Sequence, residues 1–123
     1  MKEIRILLAD DSETDRQQVQ KAFSQVDGCT LVGMVASGNE ATQLVKDLQP
    51  DVVVLDLPMP HRDGIQVLRE IRKEGPKAEI IMFTADPSVV LKEVCLEAGA
   101  DFYLHKSQIQ DLLDICSDRL TQH

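Results

Sequence analysis

Residues 51–64, D-V-V-V-L-D-L-P-M-P-H-R-D-G, decide the fold. Val52, Val53, Val54 and Leu55 form an unbroken apolar run with three β-branched side chains. Such a run predicts a strand covered on both faces, as in the middle of a parallel sheet. It ends on Asp56, with Pro58, Pro60 and Gly64 close behind. Proline has no N–H to give to a ladder, so the chain leaves the sheet near Leu57. Asp56 is therefore expected at the carboxyl end of a buried strand, the edge where open α/β sheets bind ligands. An aspartate in that position is equally a common turn residue. What stands at the ends of the other strands decides between the two readings.

Working outward, strand and helix alternate. Ile4, Ile6, Leu7, Leu8 and Ala9 predict a first strand that ends on Asp10 and Asp11. Ser12 is a candidate N-cap, with Asp15 three residues on, for a helix turned inward through Val19, Ala22, Phe23 and Val26 and stopped by Gly28. A second strand is expected over residues 30–36, then a Ser37/Glu40 capping box for a helix burying Ala41, Leu44, Val45 and Leu48. Beyond the central strand, Gly64 opens a helix facing inward through Ile65, Leu68 and Ile71. Ile80–Phe83 predicts a fourth strand ending on Thr84. A helix lined by Leu91, Val94, Cys95 and Ala98 follows, with Gly99 in its left-handed C-cap. Residues 101–105 predict a short fifth strand, followed by Lys106. Ser107 and Gln110 suggest a capping box for a last helix burying Ile109, Leu112, Leu113, Cys116 and Leu120. Five such repeats imply an α/β, doubly wound, five-stranded parallel sheet of order 2-1-3-4-5, a flavodoxin-like fold. No linker or low-complexity tract breaks the pattern, so residues 1–123 are expected to form one domain.

Composition narrows the function classes. The formal net charge is −8, which disfavours direct contact with nucleic acid or anionic membranes. Cys29, Cys95 and Cys116 are widely spaced and odd in number, and read as buried apolar residues of a reducing cytoplasm. The chain enters a strand within a few residues of Met1, with no signal sequence and no long apolar span, so a cytoplasmic protein is expected. His61, His105 and His123 have no partner at metal-ligand spacing and read as structural or solvated.

The chemistry follows from the strand ends. Asp10 and Asp11, Asp56, Thr84 and Lys106 are all expected on one edge of the sheet. Two carboxylates a few ångströms apart repel by roughly 4 kcal/mol at a protein-like effective dielectric. Such a cluster favours a hard divalent cation, and oxygen ligands in a small open site suit Mg²⁺. Lys106 supplies a mobile positive charge able to pair with Asp56 or a phosphoryl oxygen, and Thr84 a hydroxyl.

Asp10-Asp11, the segment D-L-P-M-P-H-R-D-G from Asp56, Thr84-Ala85 and Lys106 together resemble the response-regulator receiver domain of two-component signalling. The resemblance spans the chain. It implies that Asp56 is the phosphoacceptor, taking a phosphoryl group from a phosphohistidine on a histidine kinase or histidine phosphotransfer protein. It further implies that Asp11, Asp56 and the backbone carbonyl of Pro58 ligate Mg²⁺, with Asp10 acting through a metal-bound water. Lys106 and Thr84 would hold the phosphoryl oxygens, and Tyr103 matches the aromatic switch position. Pro58 and Asp86 fall at positions that tune the lifetime of the phosphoryl group. The output would be a changed surface of fourth helix, fifth strand and fifth helix, read by a downstream protein partner. The domain would be regulatory, its only chemistry its own phosphorylation and dephosphorylation.

The sequence departs from that family at two points. Ser107 stands where the family has a proline after the lysine, and a trans Lys106–Ser107 bond with Ser107 as N-cap is expected. The final helix carries Asp111, Asp114 and Asp118 on its outer face, a solvated acidic surface or one for a basic partner. Three competing functions share the fold or the chemistry. A flavodoxin-like electron carrier needs a Gly-, Ser- and Thr-rich phosphate loop, where this chain has Asp10, Asp11, Ser12 and Glu13. An aspartate-nucleophile phosphatase resembles D-x-D after the strand, where this chain has Pro58. A receiver fold used as an unphosphorylated docking module has no need of the full acidic set.

Overall fold

The computed structural model describes residues 3–56, 62–86 and 88–121. Its strands are β1 (Ile4–Asp10), β2 (Cys29–Val35), β3 (Val52–Asp56), β4 (Glu79–Thr84) and β5 (Phe102–His105). They alternate with helices α1 (Glu13–Phe23), α2 (Gly38–Leu48), α3 (Arg62–Glu74), α4 (Val89–Glu97) and α5 (Ile109–Asp118). All pairings are parallel and the order is β2-β1-β3-β4-β5, as the pattern predicts.

Alternation along the strands divides the core between two faces. Leu7, Ala9, Val53, Leu55, Ile80 and Met82 pack against α2, α3 and α4. Ile4, Ile6, Leu8, Val52, Val54, Ile81 and Phe83 pack against α1 and α5. Val52 to Leu55 are fully enclosed, which is why β3 shows no polar alternation and holds its last residue rigidly. The three cysteines are free and buried, as expected.

Several local expectations shift. Helix α1 ends at Phe23, five residues before Gly28, whose positive φ of 88° closes the turn into β2 instead. Strand β2 starts at Cys29 and α3 at Arg62, before the positions expected from residues 30 and 64. Val94 does not line the core. It is 38 % exposed, and Leu91, Cys95 and Ala98 carry the inner face of α4. Ser107 does not cap α5: the N-cap position is Gln108 and makes no side-chain cap bond. The Ser107 hydroxyl lies 2.8 Å from His105 Nδ1, which also accepts from the Ser107 N–H at 3.1 Å. That nearer acceptor takes the hydroxyl away from the helix end. Ser12 and Ser37 cap α1 and α2 as expected, and Ser88 caps α4.

The amino-terminal edge of the sheet is tied by side chains bonded to backbone. Arg5 donates to the carbonyls of Leu48 (2.7 Å) and Gln49 (3.1 Å). Gln49, left-handed at φ 46°, caps α2 and reaches the Glu74 carbonyl at 2.9 Å. Arg72 donates to the carbonyls of Ala78 (2.6 Å) and Gly99 (3.0 and 2.8 Å) and to Asp101 (2.7 Å). Gly99, at φ 122°, is the left-handed residue expected after α4.

Candidate functional site

Strand register builds the opposite edge. β1 and β3 pair so that Asp10 lies opposite Asp56, and β4 and β5 so that Thr84 lies opposite His105. Lys106 follows directly, its N–H donating to the Thr84 carbonyl at 2.9 Å. The ends of four strands are thus level, and the charged residues that terminate them converge.

Lys106 is the hub. Its ammonium donates to Asp10 Oδ2 and to Asp15 Oδ2 (2.8 Å), and lies 2.9 Å from Asp56 Oδ2. It also sits 5.6 Å from the centre of the Phe83 ring, whose face attracts a cation. Asp10 is enclosed, and its Oδ1 accepts the Ser12 N–H at 2.9 Å. Arg16 reaches the Asp10 carbonyl at 2.6 Å. Asp56 is partly open, its side chain 18 % exposed, so the same residue is gripped below and accessible above.

Burial pushes the Asp56 carboxyl up from its ordinary value. Lys106 opposes this by hydrogen bond and charge, Asp10 adds to it, the Thr84 hydroxyl opposes it weakly, and the balance stays raised. Burial draws the Lys106 ammonium down, but hydrogen bonds to Asp10, Asp15 and Asp56 outweigh it and raise its affinity for its proton. Three carboxylates to one ammonium leave the cluster negative. Carboxylate oxygens of Asp10, Asp15 and Asp56 lie within 4.8 Å of one another. Hard oxygen donors at that spacing, partly open to solvent, fit a Mg²⁺ ion.

Of the residues expected at this edge, Asp10, Asp56, Thr84 and Lys106 come together. Asp11 is exposed and stands outside the cluster, while Pro58 and His61 lie outside the described residues, as does His123. Asp15 was expected only in the first turn of α1. Its backbone N–H does bond Ser12 Oγ at 3.2 Å, while its side chain turns to Lys106. The signal was available, because α1 starts directly after the Asp10 strand end and its first turn overhangs the same edge.

A second chain of bonds leaves the site. Thr84, 5 % exposed, accepts the Asp86 N–H at 3.2 Å, and the Asp86 carbonyl accepts the Tyr103 hydroxyl at 3.1 Å. Burial, then the Asp86 charge, pushes the Tyr103 phenol up to about 12. Tyr103 lines a cavity of ≈ 310 Å³ with Asp86, Ser88, Val89, Lys92 and His105. Val89 and Val90 on α4 are about two-thirds or more exposed, at 68 % and 71 %.

This is an acidic, lysine-bridged pocket at the carboxyl edge of a five-stranded parallel sheet of order 2-1-3-4-5. Residues 6–116 match the response regulator receiver domain family, and the chain belongs to it. A response regulator, MprA of Mycolicibacterium vanbaalenii, is 39 % identical over 103 residues, covering 84 % of this chain and 44 % of that protein. The chain thus spans less than half the length of that relative. The signal receiver domain of the putative response regulator NarL from Mycobacterium tuberculosis superposes with a TM-score of 0.83 at 27 % identity, covering 96 % of this chain and 98 % of that one. A chain of the CheX–CheY–BeF3–Mg complex from Borrelia burgdorferi superposes at 0.78 with 28 % identity, covering 91 % and 88 %. Among the described residues no helix is long and apolar enough to cross a membrane.

Proposed function

We propose that this receiver domain is a Mg²⁺-dependent phosphoacceptor switch whose acceptor is Asp56. The observation that carries the reading is the Lys106–Asp56 contact of 2.9 Å at an opening flanked by Asp10 and Thr84. An Asp56 carboxylate oxygen forms the new P–O bond as the P–N bond of a phosphohistidine breaks and the imidazole leaves with a proton. The donor is a histidine kinase or histidine phosphotransfer protein. Lys106 and Thr84 meet the phosphoryl oxygens through an ammonium and a hydroxyl. A Mg²⁺ ion held at this edge would supply positive charge beside the transferring group. Asp11, Asp56 and the Pro58 carbonyl are its proposed protein ligands, with Asp10 acting through water. The neighbour crystallised with magnesium and beryllofluoride supports this pairing of ion and phosphoryl mimic.

Drawing the Thr84 hydroxyl towards the phosphoryl group takes it from the Asp86 N–H, and Asp86 holds Tyr103. The switch therefore reaches the surface of α4, β5 and α5, where a downstream protein partner reads it. The chain's charge of −8 disfavours direct nucleic-acid contact by this domain. Its place is the cytoplasm, where the phosphodonor works. The domain is regulatory and has no other substrate.

The test is incubation with Mg²⁺ and a small phosphodonor, followed by intact mass. Wild type gains one phosphoryl group and Asp56→Asn gains none. Amide spectra with Mg²⁺ and beryllofluoride should shift at Thr84, Tyr103 and Lys106 in wild type, stay unmoved in Asp56→Asn, and move little at Tyr103 in Thr84→Ala. A phosphorylated Asp56→Asn chain overturns the assignment.

A further inference from the structure

The Lys106 ammonium donates to Asp10 and Asp15 and pairs in charge with Asp56 at 2.9 Å, so carboxylates surround it on three sides. A phosphoryl oxygen that takes Lys106 must therefore displace one of them. The three are unequal. Asp10 is enclosed, its side chain 1 % exposed, and releasing it would leave a charge in a closed space. Asp56 carries the incoming group itself. The Asp15 side chain is 37 % exposed on the first turn of α1, where water and the helix N-terminus receive a released carboxylate at low cost. Asp15 is thus the partner that yields.

We propose that Asp15 is a latch on Lys106, a positioning residue that holds the lysine in the unphosphorylated domain and competes with the phosphoryl group for it. This rests on the assignment of Asp56 as phosphoacceptor. On this reading Asp15 gives its carboxylate to Lys106 and not to a metal ion, although its oxygens lie within 4.8 Å of those of Asp10 and Asp56. It sets how strongly the site must attract a phosphoryl group before Lys106 changes partners. The contact also joins α1 to the residue after β5, at one end of a groove of ≈ 460 Å³ between α1 and α5 lined by Gln18, Ala22 and Ile109. Release of the latch therefore reaches a face of the molecule opposite Tyr103.

The experiment is titration of wild type, Asp15→Asn, Asp15→Ala and Asp15→Glu with beryllofluoride at saturating Mg²⁺, followed by amide spectra, with a separate Mg²⁺ titration of each. Loss of one half-exposed ion pair predicts tighter beryllofluoride binding by about threefold to fivefold in the Asn and Ala variants. Asp15→Glu, which keeps a carboxylate, should return towards wild type, and Mg²⁺ affinity should be unchanged in all four. Glu13→Gln removes an equal charge from the same turn without touching Lys106, and should bind as wild type does. In wild type alone, beryllofluoride should shift the Asp15 and Ile109 amides along with those at Tyr103. Equal beryllofluoride affinity in wild type and Asp15→Asn overturns the latch, as does an equal gain in Glu13→Gln. Weaker Mg²⁺ binding in Asp15→Asn overturns it too, by making Asp15 a metal ligand. If wild type itself ignores beryllofluoride, the phosphoacceptor assignment fails, and the latch with it.

Discussion

Replacing Lys106 with methionine keeps the length of the side chain and removes its charge. Asp10, Asp15 and Asp56 then face one another with carboxylate oxygens within 4.8 Å. At an effective dielectric of 20 each such pair repels by roughly 3.5 kcal/mol. Removing one partner of a buried pair costs roughly 3–5 kcal/mol, whereas the contact to the half-exposed Asp15 accounts for only about 0.2–1 kcal/mol. The cluster limits the damage by spreading apart or taking up a proton, so a loss of about 3 kcal/mol at neutral pH is expected. With a urea slope of about 2 kcal/mol per molar, the unfolding midpoint should fall by roughly 1.5 M. Two further signatures separate this cause from simple loss of packing. Millimolar Mg²⁺ should recover much of the loss, since it replaces the missing positive charge. The deficit should also shrink on acidification. The Asp56 carboxyl, already raised by burial, is raised further without the ammonium, so its contribution is present below the unfolded value and lost as pH rises through the folded one. Midpoints that coincide for the two proteins at neutral pH, or a deficit indifferent to Mg²⁺ and pH, would refute the reasoning.

Asp56→Asn should raise stability at neutral pH without Mg²⁺. The Asp56 carboxyl is raised in the folded state, mainly by burial, so its contribution is present below the unfolded value and lost as pH rises through the folded one. The gain of the variant should vanish in acid, and a urea series at several pH values reads it. Millimolar Mg²⁺ should raise the melting temperature of wild type, and Asp11→Asn should remove that response if Asp11 is a ligand. Ser88→Ala should cost about 1 kcal/mol, because its hydroxyl accepts the Leu91 N–H at 3.2 Å, whereas Ser107→Ala should cost under about 0.5 kcal/mol. Equal losses would show that Ser107 supports α5 after all. Gly99→Ala should cost about 1–3 kcal/mol, since φ is 122° and the added carbon meets Arg72 Cγ at 3.0 Å; thermal unfolding reads this directly.

The topology was legible because each strand of this fold announces itself by composition, and β1, β3, β4 and β5 end on polar or charged residues. Val52 to Leu55 read as buried, and in the structure they are. Asp10 and Asp56 could be placed together because strand order and register alone bring them opposite. What escaped depends on competition between neighbours. Ser107 has the spacing of a cap, but the His105 ring offers a closer partner, and helical periodicity does not report that. Val94 fits the apolar stripe of α4, yet the stripe is wider than the face that the sheet can cover. Asp15 carries two roles in one residue, backbone in the cap and side chain on Lys106. The sequence pattern shows the first and hides the second.

Arg5, Gln49 and Arg72 give the molecule a keel. Together they bind the ends of α2, α3 and α4 to one another and to the sheet through backbone carbonyls. A change of charge at the far edge cannot slide these elements lengthwise, because their lower ends are moored. It can only tilt or splay their upper ends, on the side of the sheet where Thr84 and Asp86 stand. Amide exchange should accordingly be slow at Ile80 and Ala100 beside the mooring. On the proposed switch, change is carried by helix faces at the site's edge while the opposite end of the sheet stays fixed.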